Sequence, residues 1–231
     1  MKHLVHEWQF ILIILRRLND LNKMRKNKKV YVVGRAKSYA CWIENATLVN
    51  NIEEADIVMF TGGEDINPAL YDCEKHSSTY FNEKRDEEEV EAFKKVRKDQ
   101  LCLGICRGLQ LLCSLNGGIL IQNVDNHSVF GTHPIINSVT GERYEITSIH
   151  HQMVYPFKMN RSDYKVLYYA SRQATFYEGD GIECPPCEPE VVLFTKQDMP
   201  KCLGIQGHPE LMRANAPVLK MFNDLLDSLL C

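Results

Sequence analysis

The sequence predicts an α/β fold with a mostly parallel central sheet to which antiparallel strands are added. From Val30 onward, short apolar runs such as VYVVG, ADIVMFTGG and LCLGIC alternate with helix-like segments. Continuous apolar strands separated by helices are typical of a parallel sheet covered on both faces. The second half differs, because ERYEITSIHHQ, YKVLYYASR, EVVLFTKQ and KCLGIQGHPE follow one another with little helix between them. We expect these later strands to pair antiparallel.

Three segments predict helices. Residues 85–100 carry acids at the front and bases at the rear, which suits the helix dipole. The charged run RDEEEVE at the start of this segment is interpreted as a solvated helix face. The segment RGLQLLCSLNG directly follows the strand LCLGIC, and APVLKMFNDLLDSLL supplies the final helix.

The length of the chain predicts one catalytic domain preceded by an extension. With 231 residues, the chain can form one sizeable core, and we assign residues 29–231 to the catalytic domain. Residues 1–28 are predicted to be an N-terminal extension. Its apolar stripe predicts a helix and consists of Leu4, Trp8, Ile11, Leu12 and Leu15. Packing of this helix on its own domain is favoured over docking on a partner.

Composition and charge indicate a cytoplasmic protein that acts on a small molecule. The net charge of -3 offers no basic surface for nucleic acid. The apolar run at 10–15 is far shorter than the ~18 to 20 residues that span a bilayer, and no small-residue cleavage site follows it. The nine cysteines are scattered and mostly embedded in apolar runs, which indicates reduced thiols. We therefore expect no membrane partner and no nucleic-acid partner.

Cys106 has the sequence surroundings of a nucleophile on a sharp turn. It lies in GICRG, residues 104–108, between a strand and a helix, and such a turn needs nearly side-chain-free residues two positions away on either side. A thiol there lies at a helix N-terminus, where the partial positive charge favours the thiolate. Cys102 and Cys113 lack flanking glycines and are assigned to the core. Taken alone, the pattern also fits a buried cysteine beside chance glycines.

Two further motifs can complete such a site. Glu210 follows His208 by two residues on a predicted extended segment, so its carboxylate can lie beside the ring and fix its tautomer. The paired glycines that end at Gly63 can turn a backbone N–H toward an oxyanion, with the N–H of Arg107 as the second donor. Taken alone, the motif of His208 and Glu210 is also compatible with an ordinary loop histidine. The paired glycines alone are also compatible with a turn that has no functional role. Because all three motifs end predicted strands, where open α/β sheets place their sites, together they favour a triad with Cys106.

In their order along the chain, TGGEDINPALY, GICRGLQLL, HHQM and GIQGHPE resemble the class I glutamine amidotransferase-like family. Within it they look like the γ-glutamyl hydrolase, or peptidase C26-like, branch. The likeness runs from about Val30 to about Met212. GICRGLQ and SIHHQM look most similar to the hydrolases of γ-glutamyl-γ-aminobutyrate. This resemblance implies a three-layer flavodoxin-like sandwich.

The resemblance also implies a mechanism. Cys106 is implied as the nucleophile, His208 as the base and then the acid, and Glu210 as the orienting carboxylate. The backbone N–H groups of Gly63 and Arg107 are implied as the oxyanion hole. The thiolate would attack the γ-carbonyl of a glutamine-like side chain, leave a γ-glutamyl thioester and release glutamate after attack by water. This chemistry requires no metal and no organic cofactor.

Three further residues are implied in substrate binding. Gln110 lies one helical turn after the nucleophile and so on the same helix face. His151 and Gln152, from HHQM, are implied as pocket residues, and a purely structural role for both stays open.

Two other motifs suggest metal sites and are interpreted otherwise. Cys184 and Cys187 have the C-x-x-C spacing of half a zinc site, but no second ligand pair is evident nearby and the prolines indicate a rigid loop. His127 and His133 are expected on a loop with local hydrogen bonds. We therefore expect no metal ligand among the site residues.

Three functions compete at this stage. The first is a free-standing γ-glutamyl hydrolase that acts on a small γ-glutamyl compound. The second is a glutaminase subunit that takes glutamine and passes ammonia to a synthase partner, with the extension as a docking element. The third is an inactive binding module, which the intact set of Cys106, His208 and Glu210 disfavours. The oligomeric state stays open, with a homodimer as one option.

Overall fold

A nine-stranded sheet forms the centre of the fold. The computed structural model describes residues 27–34, 36–171 and 173–230, so residues 1–26 of the predicted extension lie outside the described residues. In chain order the strands are β1 (Lys28–Val32), β2 (Ala46–Leu48), β3 (Ile57–Phe60), β4 (Leu101–Ile105), β5 (Ile119–Ile121), β6 (Asn123–Val124), β7 (Ser128–Asn137), β8 (Arg143–Ile149), β9 (Met153–Tyr155), β10 (Tyr164–Ala170), β11 (Tyr177–Glu178), β12 (Glu188–Phe194) and β13 (Lys201–Ile205). The helices are α1 (Glu83–Lys94), α2 (Arg107–Leu115) and α3 (Pro217–Leu229), and short 3-10 helices span Lys37–Ala40, Ile52–Glu54, Pro68–Tyr71, Pro156–Lys158 and Pro209–Leu211.

The sheet is parallel at one end and antiparallel at the other. Its strand order is β2-β1-β3-β4-β13-β12-β10-β7-β8. Every pairing from β2 to β13 is parallel. From β13 onward each strand pairs antiparallel with its neighbour. The predicted α/β class with added antiparallel strands is confirmed, and those strands come from the second half of the sequence as expected.

The parallel strands separate two cores, as a three-layer sandwich requires. Strands β3 and β4 are buried along their whole lengths. Because successive side chains of a strand point to opposite faces, Ile57 packs in one core with Phe222 of α3, whereas Val58 packs in the other with Leu109 of α2. Helices therefore cover both faces, and the ends of β3, β4 and β13 are held at one edge.

The predicted helix over residues 85–100 is shorter in the structure, where α1 ends at Lys94. The following turn is held by the Gln100 side chain, whose Nε2 donates to the carbonyls of Ile52 (2.6 Å) and Ala55 (2.7 Å). Its Oε1 accepts from the backbone N–H of Arg97 at 2.8 Å. These long-range bonds favour a turn over further helix, although the charge pattern continues.

The first strand includes Lys28, which the sequence prediction gave to the extension. This lysine is buried, and its Nζ lies 2.6 Å from Oδ1 of Asp227 on α3. The expected loop position is wrong for His133, which lies in β7, whereas His127 lies in the bend directly before that strand as expected. Both side chains are buried. Over the described ranges, no helix is long and apolar enough to cross a membrane.

Candidate active site

Cys106 connects β4 to α2 in a strained backbone conformation, with φ 52° and ψ -107°. Its flanking glycines are required by close approach of the chain. A Cβ on Gly108 would lie 2.2 Å from the carbonyl oxygen of Phe60, and one on Gly104 would lie 2.5 Å from the carbonyl carbon of Gly108. The Cys106 backbone N–H donates to the carbonyl of Ile205 on β13 at 2.7 Å. The thiol therefore lies at the N-terminus of α2, beside the end of β13.

His208 and Glu210 lie at the end of β13 and are joined directly. Nδ1 of His208 lies 2.7 Å from Oε1 of Glu210. Glu210 sits in a 3-10 turn instead of the expected extended segment, and the turn still brings its carboxylate to the ring. The backbone N–H of His208 donates to Oγ1 of Thr147 at 2.7 Å, which fixes the start of this turn against β8.

The pKa of His208 reflects its contact with Cys106. Burial lowers this pKa, but hydrogen bonds to the Cys106 sulfur and to Glu210 act in the opposite direction and raise it to about 10. The imidazole is therefore protonated at neutral pH, and its positive charge lies beside the thiol. An imidazolium in this position stabilises a thiolate.

Gln206 also contacts the thiol and was not selected from the sequence. Its Nε2 lies 3.7 Å from the Cys106 sulfur, and the residue is fully buried. The only sequence signal was its position in GIQGHPE, two residues before His208 on the same strand end.

The glycine turn after β3 is fixed by Arg85. Gly63 has a positive φ of 149°, which glycine tolerates. Nη2 of Arg85 donates to the carbonyl of Gly62 at 2.9 Å, and Nη1 donates to Oε2 of Glu64 at 2.6 Å. The turn carbonyls therefore face the guanidinium, and Gly63 lines the same cavity as Cys106.

The acidic face of α1 is buried in part, so the interpretation of RDEEEVE as a solvated face is wrong for Asp86 and Glu89. Both carboxylates form ion pairs with the guanidinium of Arg107, whose side chain is wholly buried. Glu89 also accepts from Nε of Arg85 at 3.0 Å. Burial raises the pKa of Asp86, although Arg107 acts against it. This network connects the residue after Cys106 to the residue that holds the glycine turn.

A cavity of about 230 Å³ opens beside Cys106 and is lined by the predicted residues Gly63, Gln110, His151 and Gln152. Nε2 of Gln110 donates to the carbonyl of Gln152 at 3.2 Å. His208 and Glu210 approach Cys106 from the end of β13 instead. The structure thus brings the eight predicted site residues to one edge of the sheet.

Asp65 lines the same cavity and was missed by the sequence reasoning. Its Oδ1 lies 2.9 Å from Nε2 of His151, and this hydrogen bond raises the pKa of His151. Asp65 lies two residues beyond Gly63, so the motif that predicted the turn also contained it.

Comparison with known proteins identifies the family. The glutamine amidotransferase class-I family model matches residues 80–227, and the peptidase C26 model matches residues 23–135. The chain therefore belongs to the class I glutamine amidotransferase family. The two matched families are hydrolases that act on carbon–nitrogen amide bonds, so the predicted family and enzyme class are confirmed at that level.

Two relatives show how far the sequence similarity extends. Protein NtpR of Enterococcus hirae is 25% identical over 186 residues, which cover 71% of this chain and 70% of that protein. The glutamine amidotransferase-like protein YvdE homolog of Lactococcus lactis subsp. cremoris is 30% identical over 125 residues, which cover 46% of this chain. The chain spans 66% of the length of that homolog.

Solved structures share the fold at low identity. A glutamine amidotransferase from Thermotoga maritima has a TM-score of 0.53 and 13% identity, covering 89% of this chain and 95% of its own. The glutaminase domain of Trypanosoma brucei CTPS has a TM-score of 0.52 and 11% identity, covering 88% of this chain and 94% of its own. These structural similarities show that the chain has the same fold as these two proteins.

Proposed function

We propose that this protein hydrolyses the γ-glutamyl amide bond of a small γ-glutamyl compound through a γ-glutamyl thioester on Cys106. The proposal rests on the close approach of three side chains, with Cys106 at the end of β4 and His208 and Glu210 after the end of β13. Cys106 is exposed to the cavity by its strained turn, and the His208 ring contacts the sulfur while Glu210 holds the ring at 2.7 Å. A nucleophile, a base and an orienting carboxylate in this relation are what covalent amide hydrolysis requires.

The proposed reaction begins with an ion pair between the Cys106 thiolate and the His208 imidazolium. The thiolate attacks the γ-carbonyl, and the backbone N–H groups of Gly63 and Arg107 bind the oxyanion. His208 gives its proton to the departing amine, which leaves a γ-glutamyl thioester. A water molecule then loses a proton to His208, attacks the thioester and releases glutamate.

Charges in the cavity suit the head group of a γ-glutamyl compound. That head group is a zwitterion with an ammonium and a carboxylate, so it needs partners of both signs. Glu64 and Asp65 supply negative charge, while His151 has a raised pKa and supplies positive charge when protonated. We assign head-group binding to these residues together with Gln110 and Gln152.

The proposal is tested by glutamate release from four substrates, namely glutamine, γ-glutamyl-γ-aminobutyrate, a γ-glutamyl dipeptide and a folate polyglutamate. We expect turnover of at least one amide and its complete loss in Cys106→Ala, because the thioester cannot form. Cys184→Ser is the matched control, since Cys184 is an exposed thiol outside the cavity, and it should retain the wild-type rate. Equal turnover by wild type and Cys106→Ala would refute the proposal.

A second function is supported by the family match, which includes amidotransferases. In this alternative the protein is a glutaminase that supplies ammonia to a synthase in trans. It predicts no turnover of any of the four substrates by the isolated chain, although Cys106 is still alkylated by a glutamine-analogue electrophile. The third function, an inactive binding module, is disfavoured by the intact triad. A Cys106 thiol that does not react with the electrophile would support it.

A further inference from the structure

A cluster of buried histidines and acids extends from the cavity wall, which His150 lines, into the antiparallel part of the sheet. His127 precedes β7, His150 follows β8 and Glu190 lies in β12. All three are buried, with 0%, 4% and 1% of their surfaces exposed. One ligand atom from each lies within 4.8 Å of the other two. None of these residues takes part in the proposed reaction.

The tautomer of His150 is set by its backbone neighbour. Nδ1 lies 2.9 Å from the carbonyl oxygen of Gln152, which can only accept a hydrogen bond. Nδ1 therefore carries the proton, and Nε2 of the neutral ring presents a lone pair. This nitrogen lies 3.7 Å from Oε1 of Glu190, and neither atom has a hydrogen-bond partner among the described residues.

The tautomer of His127 is set in the same way, by its hydrogen bond to Glu188. Its Nε2 lies 3.1 Å from Oε2 of Glu188, a carboxylate that also accepts from the backbone N–H groups of Gln173 and Ala174. His127 therefore donates from Nε2, and its Nδ1 presents a lone pair at 3.7 Å from Oε1 of Glu190.

The hydroxyl of Ser148 does not supply the missing proton to His127. Oγ of Ser148 lies 3.4 Å from Nδ1 of His127 but 2.8 Å from the carbonyl oxygen of the same residue. The single hydroxyl proton goes to the nearer oxygen, which can only accept. The lone pair on Nδ1 of His127 is left facing the Glu190 carboxylate.

Three buried acceptors therefore converge, and a positive charge between them would stabilise this arrangement. One added proton would satisfy one nitrogen and leave the second facing the carboxylate, whereas a divalent cation accepts all three lone pairs. We propose that His127 Nδ1, His150 Nε2 and the Glu190 carboxylate bind a divalent transition metal ion of the Zn²⁺ class. Two imidazoles and a carboxylate are ligands that Zn²⁺ accepts.

The distances and the outer contacts agree with this assignment. Ligand atoms that are each about 2.0–2.1 Å from a tetrahedral ion lie roughly 3.4 Å apart. The observed 3.7 Å from each imidazole nitrogen to Oε1 of Glu190 needs only a small contraction. Glu188 and the Gln152 carbonyl already accept the second ring N–H of each histidine, as outer partners of metal-bound histidines do. His133 lies 3.4 Å from the same carboxylate oxygen and serves to orient it.

We assign the ion a structural role, in which it holds the cavity wall in place. The Gln152 carbonyl that orients His150 also accepts from Gln110, so the metal site and the proposed substrate site share one backbone group. The ion would join the segments next to β7 and β8 to β12 at the cavity wall, and it would take no part in bond cleavage.

The test uses the full-length protein, stripped with chelator and then incubated with Zn²⁺ alone. Bound zinc is measured by elemental mass spectrometry and Tm by calorimetry, and the proposal predicts one zinc per chain with a higher Tm. Glu190→Gln keeps the side-chain volume and should lose stoichiometric zinc. The double variant Cys184→Ser/Cys187→Ser is the matched control for the C-x-x-C loop, and it should keep one zinc.

Cobalt substitution gives a second readout that needs no variant. Co²⁺ bound by nitrogen and oxygen should give tetrahedral visible bands without the near-ultraviolet band of cobalt–thiolate ligation. The proposal is overturned if folded, stripped wild type takes up no zinc, which would indicate a shared-proton network instead. It is equally overturned if zinc persists in Glu190→Gln and disappears in the double cysteine variant.

Discussion

Replacing Arg107 by methionine is expected to lower the free energy of unfolding by about 3–5 kcal/mol. The guanidinium is wholly buried and pairs with Asp86 and Glu89, which are buried as well. Methionine keeps much of the volume but leaves two carboxylates without their cation. The free energy needed to bury these two charges is then no longer offset by the ion pairs. Denaturant unfolding followed by circular dichroism measures the change.

Arg97→Met is the matched control for this prediction. Arg97 forms an exposed ion pair with Asp99, with 46% and 73% of the side chains exposed. Such a surface pair contributes at most about 1 kcal/mol. If the two variants unfold at the same denaturant concentration, the buried network does not stabilise the fold as described.

His208→Asn is expected to lower kcat/KM for the preferred γ-glutamyl substrate by about 10²–10⁴-fold, the range for loss of a general acid and base. The raised pKa of about 10 adds a prediction on pH. His208 stays protonated as pH rises from neutral, loses its proton near pH 10, and can no longer protonate the departing amine. The wild-type rate should therefore fall above about pH 10, and the variant should lack this descending limb. Steady-state kinetics from neutral pH to above pH 10 measures both effects.

His76→Asn controls for the general effect of removing a histidine. His76 bonds to Ser78 through Nδ1 at 2.8 Å and is only part-buried. We expect this variant to retain the wild-type rate and pH profile. A His208→Asn enzyme with the same rate and descending limb would remove His208 from the proposed mechanism.

The turn around Cys106 could be predicted from sequence because its constraints are local. Gly104 and Gly108 approach other backbone atoms so closely that a side chain cannot fit. A requirement of this kind leaves a short, fixed pattern in the sequence. The pairing of His208 with Glu210 could be anticipated for the same reason, although the backbone between them forms a 3-10 turn and not an extended segment.

The partners of Arg107 could not be predicted because they depend on tertiary packing. The acids of α1 form the same sequence pattern whether they face water or a buried guanidinium. Asp86 and Glu89 are buried only because α1 packs beside the start of α2, and a charge pattern contains no information on that contact. The interpretation as a solvated face followed from the usual behaviour of charged runs.

The convergence of His127 with His150 and Glu190 could not be predicted for a related reason. His127, His150 and Glu190 come from three separate elements of the chain, with none of the short spacings that mark common metal motifs. The order of β12, β10, β7 and β8 in the sheet brings them together. The C-x-x-C pair of Cys184 and Cys187 has a recognisable spacing, yet no cluster of metal ligands forms around it within the described part of the chain.

The central claim, a γ-glutamyl thioester on Cys106, is tested most directly by trapping that intermediate. The wild-type enzyme is mixed with its substrate, quenched in acid within a turnover, digested and mapped by mass spectrometry across all nine cysteines. The proposed mechanism predicts one glutamyl group on Cys106 and none on the other eight. Release of glutamate with the acyl group on another cysteine, or with no acylated cysteine at any quench time, would contradict it.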